Sequence, residues 1–187
     1  DVVKHQPHPP GYVLYVGQFE PRKNMTALFA AFAAASARDD ELRLVIVGTL
    51  GKLTSIMRAA LAGSRLAPER VVTTGFVDDA TLGSLYAGAE CLLHPARFEG
   101  FGLTALESLA AGTPVVAYDA GAVREVVGDA GLLVDPAAPA GLADALAALL
   151  GDDALALRLR ERVPARVARF SWDRAAEETL AVYRGVA

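Results

Sequence analysis

Two glutamates eight positions apart, Glu99 and Glu107, bracket a Gly-Phe-Gly turn in PARFEGFGLTALESLAAGTPVV, Pro95 to Val116, and an apolar run that reads as a helix starts between them. Carboxylates accept hydrogen bonds from hydroxyls. The first turn of a helix presents unpaired N–H groups that suit an anion. A second chemical pair stands far earlier: in GQFEPRKN, Arg22 and Lys23 lie side by side just before Asn24, a candidate helix N-cap. Arginine offers a planar fork and lysine a mobile point charge, so a phosphate suits them. The pair is also what an ordinary exposed helix start can carry. Two glutamates at this spacing are a weak signal alone, and their weight depends on what the fold brings together.

The elements that must position these residues alternate. Short apolar, β-branched runs at YVLYV (12 to 16), LRLVIV (42 to 47), RVVTT (70 to 74), CLLH (91 to 94), PVVAY (114 to 118) and GLLVD (131 to 135) read as strands covered on both faces. Between them, helices are expected over 24–37, 52–62, 79–87, 103–111 and 140–150. That order predicts βα units on an open parallel sheet of about six strands. Beyond Gly151 the pattern is wholly helical. Pro164 is expected to kink or divide the first of these runs, and Ser171 to cap a final amphipathic helix from Trp172 to Val186. The proline-rich opening, residues 1–11, reads as a linker, with residues 12–187 forming one domain. His5 and His8 in that opening lack the further ligands of a metal site.

In such a sheet, ligands bind beyond the carboxyl ends of the strands. Gly17, Gly48 and Gly75 end the first three strands there and leave room for a close approach. The loop with Arg22 and Lys23 follows the first strand, and the Gly100 to Thr104 helix start follows the fourth. Both anion-binding devices are therefore expected in one cleft, where a diphosphate is the simplest ligand that uses both. Glu107, near the edge of the helix's apolar stripe, is placed to accept bonds from ribose hydroxyls and to escape full solvation. Glu99 is placed on the far side of the diphosphate, toward a sugar.

Composition limits the alternatives. A net charge of −4 gives no broad basic face for nucleic acid. No run approaches the roughly 20 uncharged residues that cross a bilayer. The single cysteine, Cys91, sits in the apolar run ECLLHP and reads as a small core residue, which suits a reducing compartment such as the cytoplasm. A nicotinamide-binding enzyme is disfavoured because VGQFEPRKN lacks a Gly-x-Gly-x-x-Gly turn.

Taken as a set, these residues resemble the retaining glycosyltransferases of family four, in the Rossmann-like, carboxyl-terminal donor lobe of their two-lobed GT-B fold. VGQFEPRKN is similar to the family's Arg-Lys loop, TGFVDD to its base-contacting turn, and FEGFGLTALESLAAGTPVVA to its segment of two glutamates separated by seven residues. DAGAVREVVGDAGLLVDP resembles the segment that follows, with Ala120 where a glycine is common. The resemblance implies that Arg22 and Lys23 hold the donor diphosphate with the backbone of Gly100, Phe101, Gly102, Leu103 and Thr104. It implies that Glu107 binds the ribose, Glu99 the sugar hydroxyls near the anomeric carbon, and that Gly17 makes room for phosphates or acceptor. Phe76, Val77 and Leu50 would border the base. It further implies hexosyl transfer from a nucleotide sugar such as GDP-mannose or UDP-glucose, with retention, and with no cofactor and no metal. The acceptor would be a glycan or a lipid-linked acceptor.

The family's amino-terminal, acceptor-binding lobe has no counterpart in this sequence, and the final helix from Trp172 would lean toward that lobe. The chain is therefore expected to bind donor without efficient transfer. A stand-alone nucleotide-sugar subunit or sensor is the competing expectation.

Overall fold

The computed structural model describes residues 11–37, 39–48, 54–64 and 66–186. His5, His8, Leu50 and the expected helix start at Lys52 lie outside the described residues. Six parallel strands form one sheet in the order β3-β2-β1-β4-β5-β6. They are β1 (Tyr12–Val16), β2 (Arg43–Val47), β3 (Val71–Gly75), β4 (Cys91–His94), β5 (Val115–Tyr118) and β6 (Gly131–Val134). Each expected strand is present, shifted by at most a residue at either end.

The sheet is doubly wound because its strands bury both faces. In β1, Val13 and Tyr15 enter one apolar cluster, while Tyr12, Leu14 and Val16 enter the other. This two-residue alternation lets a continuous apolar run serve two cores. The first core is covered by α1 (Met25–Ala35), α2 (Thr54–Gly63) and α6 (Ala140–Gly151), with Leu28, Phe29 and Phe32 of α1 fully buried. The second is covered by α3 (Asp79–Gly88), α4 (Leu103–Ala110) and α5 (Val123–Val127). Helix α5 was not expected from its sequence, since five residues are too few to display a helical period. The helix α7 (Asp153–Val167) sends Leu159 to one cluster and Val163 to the other.

Two local expectations are corrected. Asn24 makes no side-chain cap; its backbone is left-handed (φ 57°, ψ 56°) and closes the 3-10 turn Pro21–Lys23 before α1 begins. Pro164 does not divide α7. It lies in the last turn, where only one backbone bond is forfeited, and the buried Leu159 and Val163 hold the helix against the cores on the preceding turns. Ser171 does cap α8 (Trp172–Gly185), accepting from the amide of Arg174, and Asp78 and Asp152 cap α3 and α7 in the same way. No helix among the described residues is long and apolar enough to cross a membrane.

Between β1 and β4 the strand order reverses, so the loops after these two strands diverge to opposite faces and leave a crevice. The loop ends are tied by backbone bonds: Gly17 N–H donates to Val47, and Gly48 N–H donates to Gly75. Gly48 has φ +148°, and a Cβ there would fall 2.9 Å from the carbonyl carbon of Gly17. Strain and overlap together predict that Gly48→Ala lowers unfolding free energy by about 1–3 kcal/mol. Urea denaturation checks this, and unchanged stability would show that neither the strain nor the overlap operates.

Candidate functional site

The loop after β1 and the loop after β4 meet at the crevice, joined by Arg97 N–H donating to the carbonyl of Arg22 at 2.8 Å. Lys23 is buried, with its side chain 8% exposed. A buried ammonium is tolerated only when paired. Its Nζ lies 2.7 Å from Oε2 of Glu99, while Nη1 of Arg22 lies 3.0 Å from Oε1 of the same carboxylate. Arg22 is further held by Glu20, Nε to Oε2 at 2.6 Å. Arg22, Lys23 and Glu99, expected on opposite sides of a ligand, thus form one cluster. The carboxylate occupies both cations directly.

Glu99 is held by its backbone as well. The amide of Ala122 donates to its carbonyl at 3.0 Å, and Gly121, at φ +60°, packs so closely that a Cβ would lie 3.0 Å from the Glu99 nitrogen. A third side chain approaches from beneath. His94, the last residue of β4, is 1% exposed, and its Nε2 stands 3.4 Å from Oε2 of Glu99. Neither imidazole nitrogen completes a hydrogen bond among the described residues. At 3.4 Å the imidazole nonetheless acts on the carboxylate. Contact with His94, followed by the bonds from Lys23 and Arg22, holds Glu99 at about 2, well below its ordinary 4.5, against the opposing effect of burial.

Helix α4 starts at Gly102, whose φ of +96° turns the chain into the helix, and the carbonyl of Gly102 accepts from Ala105 and Leu106. The amides of Leu103 and Thr104, in the first turn, have no partner inside the helix. Leu103 is 49% exposed and Thr104 half-buried. Gly100 is exposed; Phe101 is partly so and packs edge-on against Phe170 at 6.0 Å. Glu107, one turn on, is exposed, and its Oε2 accepts from the Tyr86 hydroxyl at 2.9 Å. The edge of the apolar stripe therefore gives Glu107 a fixed partner without burying it. Burial, with Glu107 beside it, pushes the Tyr86 phenol well above its usual range, so it remains a donor.

Gly17, half-buried at φ +154°, borders the crevice; a Cβ there would meet the Tyr15 hydroxyl at 3.1 Å. Phe76 projects into solvent at 85% exposure, with Val77 half-buried beside it after β3. Cys91 is fully buried in β4, and burial raises its thiol far from reactivity. Among the described residues, no group of three or more His, Cys, Asp or Glu side chains could hold a metal ion.

The sequence reading missed His94, Tyr86 and Gly121. The first had a visible sign, a histidine ending an apolar strand at the ligand edge. Tyr86 had none, because its pairing with Glu107 depends on how α3 packs beside α4.

A parallel sheet wound on both faces, with cations, a helix amino terminus and two carboxylates at its switch point, defines a Rossmann-like domain. The family described as Glycosyl transferases group 1 matches residues 2–166, and the chain belongs to that family. It is similar to the O-antigen chain mannosyltransferase B of Escherichia coli, with 33% identity over 93% of this chain and 46% of that protein. It is similar also to the phosphatidyl-myo-inositol mannosyltransferase of Mycobacterium leprae, with 36% identity over 94% of this chain and 46% of that one. The chain thus spans about half the length of these curated relatives. Among solved structures, the sucrose-phosphate synthase of Thermosynechococcus elongatus superposes with a TM-score of 0.74 at 30% identity, covering 97% of this chain and 46% of that one. TarM of S. aureus shares the fold, with a TM-score of 0.81 at 18% identity over 98% of this chain and 38% of that one.

The charge cluster makes a pH-dependent contribution to stability. Because the folded state depresses Glu99, that contribution is complete above its ordinary 4.5 and is lost as pH falls toward about 2. The stability advantage of the parent chain over Glu99→Gln should be largest above pH 4.5 and shrink toward pH 2. Urea unfolding of both proteins across this window checks it; a constant difference would show that Glu99 is not charge-paired.

Proposed function

We propose that this chain is the donor-binding lobe of a retaining, metal-independent hexosyltransferase, taking a nucleoside diphosphate sugar of mannosyl or glucosyl type. The observation that carries this is the Arg22 and Lys23 pair joined, through Glu99 and Arg97, to the loop that runs into α4 at the switch point. The names of the mannosyltransferase relatives support the sugar class and favour a mannosyl donor.

In this assignment Arg22 and Lys23 bind the diphosphate, with the amides of Leu103 and Thr104 opposite. As the glycosidic bond to the donor breaks, negative charge grows on the leaving diphosphate, and the same cations and helix terminus stabilise it. Glu107 accepts from the ribose hydroxyls, pre-set by Tyr86. Glu99 accepts from sugar hydroxyls and fixes the ring above the diphosphate. Phe76 and Val77 border the base. Residues 12–187 act as one domain, with acceptor binding assigned to a lobe outside it.

A binding screen of UDP-glucose, GDP-mannose, the free nucleotides and inorganic diphosphate by titration calorimetry tests the assignment. Lys23→Ala should weaken nucleotide-sugar binding by about 1.5–3 kcal/mol, the scale of a charge-assisted bond. Unchanged affinity would refute the diphosphate site. Glu107→Gln should weaken intact nucleotides while leaving inorganic diphosphate nearly alone; an equal loss for both would make Glu107 structural.

A further inference from the structure

Lys23 and Arg22 cannot serve a diphosphate fully while Glu99 lies on both of them at 2.7 and 3.0 Å. Glu99 is an internal anion in the place of the external one. A ligand that draws the cations toward its phosphates strips the carboxylate of its two hydrogen-bonded partners. Glu99 cannot retreat with its backbone, which Ala122 and Gly121 clamp. Its side chain is only 12% exposed, so water replaces the lost bonds poorly.

One group stands ready to take the charge. His94 is 1% exposed, and its Nε2 stops 3.4 Å from Oε2 of Glu99 without completing a hydrogen bond. A buried polar atom left unpaired is costly, and native structures seldom keep one without a use. Strand alternation puts His94 on the same face of β4 as Leu92, whose cluster α4 covers, and at 1% exposure the imidazole has little room to move. A shift of about half an ångström by the Glu99 side chain would close the gap to ordinary hydrogen-bond length.

We propose that His94 is the positioning residue that receives Glu99 when donor binding takes Arg22 and Lys23 away. An imidazole carrying hydrogen on Nε2 donates to Oε2, compensates the carboxylate for the loss of Lys23, and aims Oε1 at the sugar. His94 thus weakens the competition between Glu99 and the diphosphate without touching the ligand. The inference rests on the donor-lobe reading above and adds to it a change of partner at Glu99.

The test is a double-mutant cycle on the whole chain, with inorganic diphosphate and GDP-mannose or UDP-glucose as probes. His94→Phe should weaken inorganic diphosphate about tenfold, because Glu99 then stays on Lys23. In a Glu99→Gln background, where the competing charge is gone, adding His94→Phe should change diphosphate affinity less than twofold. His94→Gln, which keeps a donor, should restore most of the loss in the parent background. The imidazole nitrogen signals of His94, identified by their absence from His94→Gln, should move on diphosphate binding to positions typical of a hydrogen-bonded N–H. An equal loss from His94→Phe in both backgrounds, or an unmoved signal at saturation, would make His94 a core residue and overturn the exchange alone. If the parent chain binds none of the probes, the donor-lobe reading falls and the exchange falls with it.

Discussion

The contact between Lys23 and Glu99 organises the crevice. An ammonium buried to 8% side-chain exposure must have a carboxylate within reach, and the two residues lie 76 positions apart in sequence. They meet only because β4 inserts beside β1 instead of extending the β1-β2-β3 series. The strand reversal that opens the crevice is therefore also what satisfies the charge buried in it. Topology and electrostatics are not independent features of this site.

Each of the two glutamates has a buried aromatic side chain behind it, Tyr86 for Glu107 and His94 for Glu99. The two pairings differ in completeness. Tyr86 already bonds Glu107 at 2.9 Å, so that carboxylate is oriented before any ligand arrives. His94 stands off at 3.4 Å while Glu99 is engaged by cations. One carboxylate is bonded to its aromatic neighbour and the other only approached by it, a division that would suit a ligand whose phosphates displace one carboxylate but not the other.

Strand positions could be read from the sequence because continuous apolar runs in a doubly wound sheet have few other uses, and GQFEPRKN and FEGFG could be placed on one edge from the βα order alone. The direct capture of Arg22 and Lys23 by Glu99 could not, since it is a matter of side-chain reach across two loops. Asn24 shows a subtler limit: its residue type suits a cap, yet the 3-10 turn before it demands a left-handed residue, and asparagine meets that demand instead. Pro164 shows the converse, a helix breaker overridden because its position in the last turn leaves little to break.

On the proposed donor-lobe reading, the pairing of Arg22 and Lys23 with Glu99 has energetic consequences for what the crevice selects. Binding energy at Arg22 and Lys23 would be the difference between a diphosphate and Glu99 as their partner, so a singly charged or poorly placed anion would gain little by entering. A diphosphate would gain more by spanning both cations and the amino terminus of α4 together. The internal carboxylate therefore acts as a threshold on charge and geometry. It also keeps Lys23 ordered in a chain whose net charge of −4 supplies no other broad attraction for anions. On that reading the selectivity of the crevice resides as much in what Glu99 withholds as in what the cations offer.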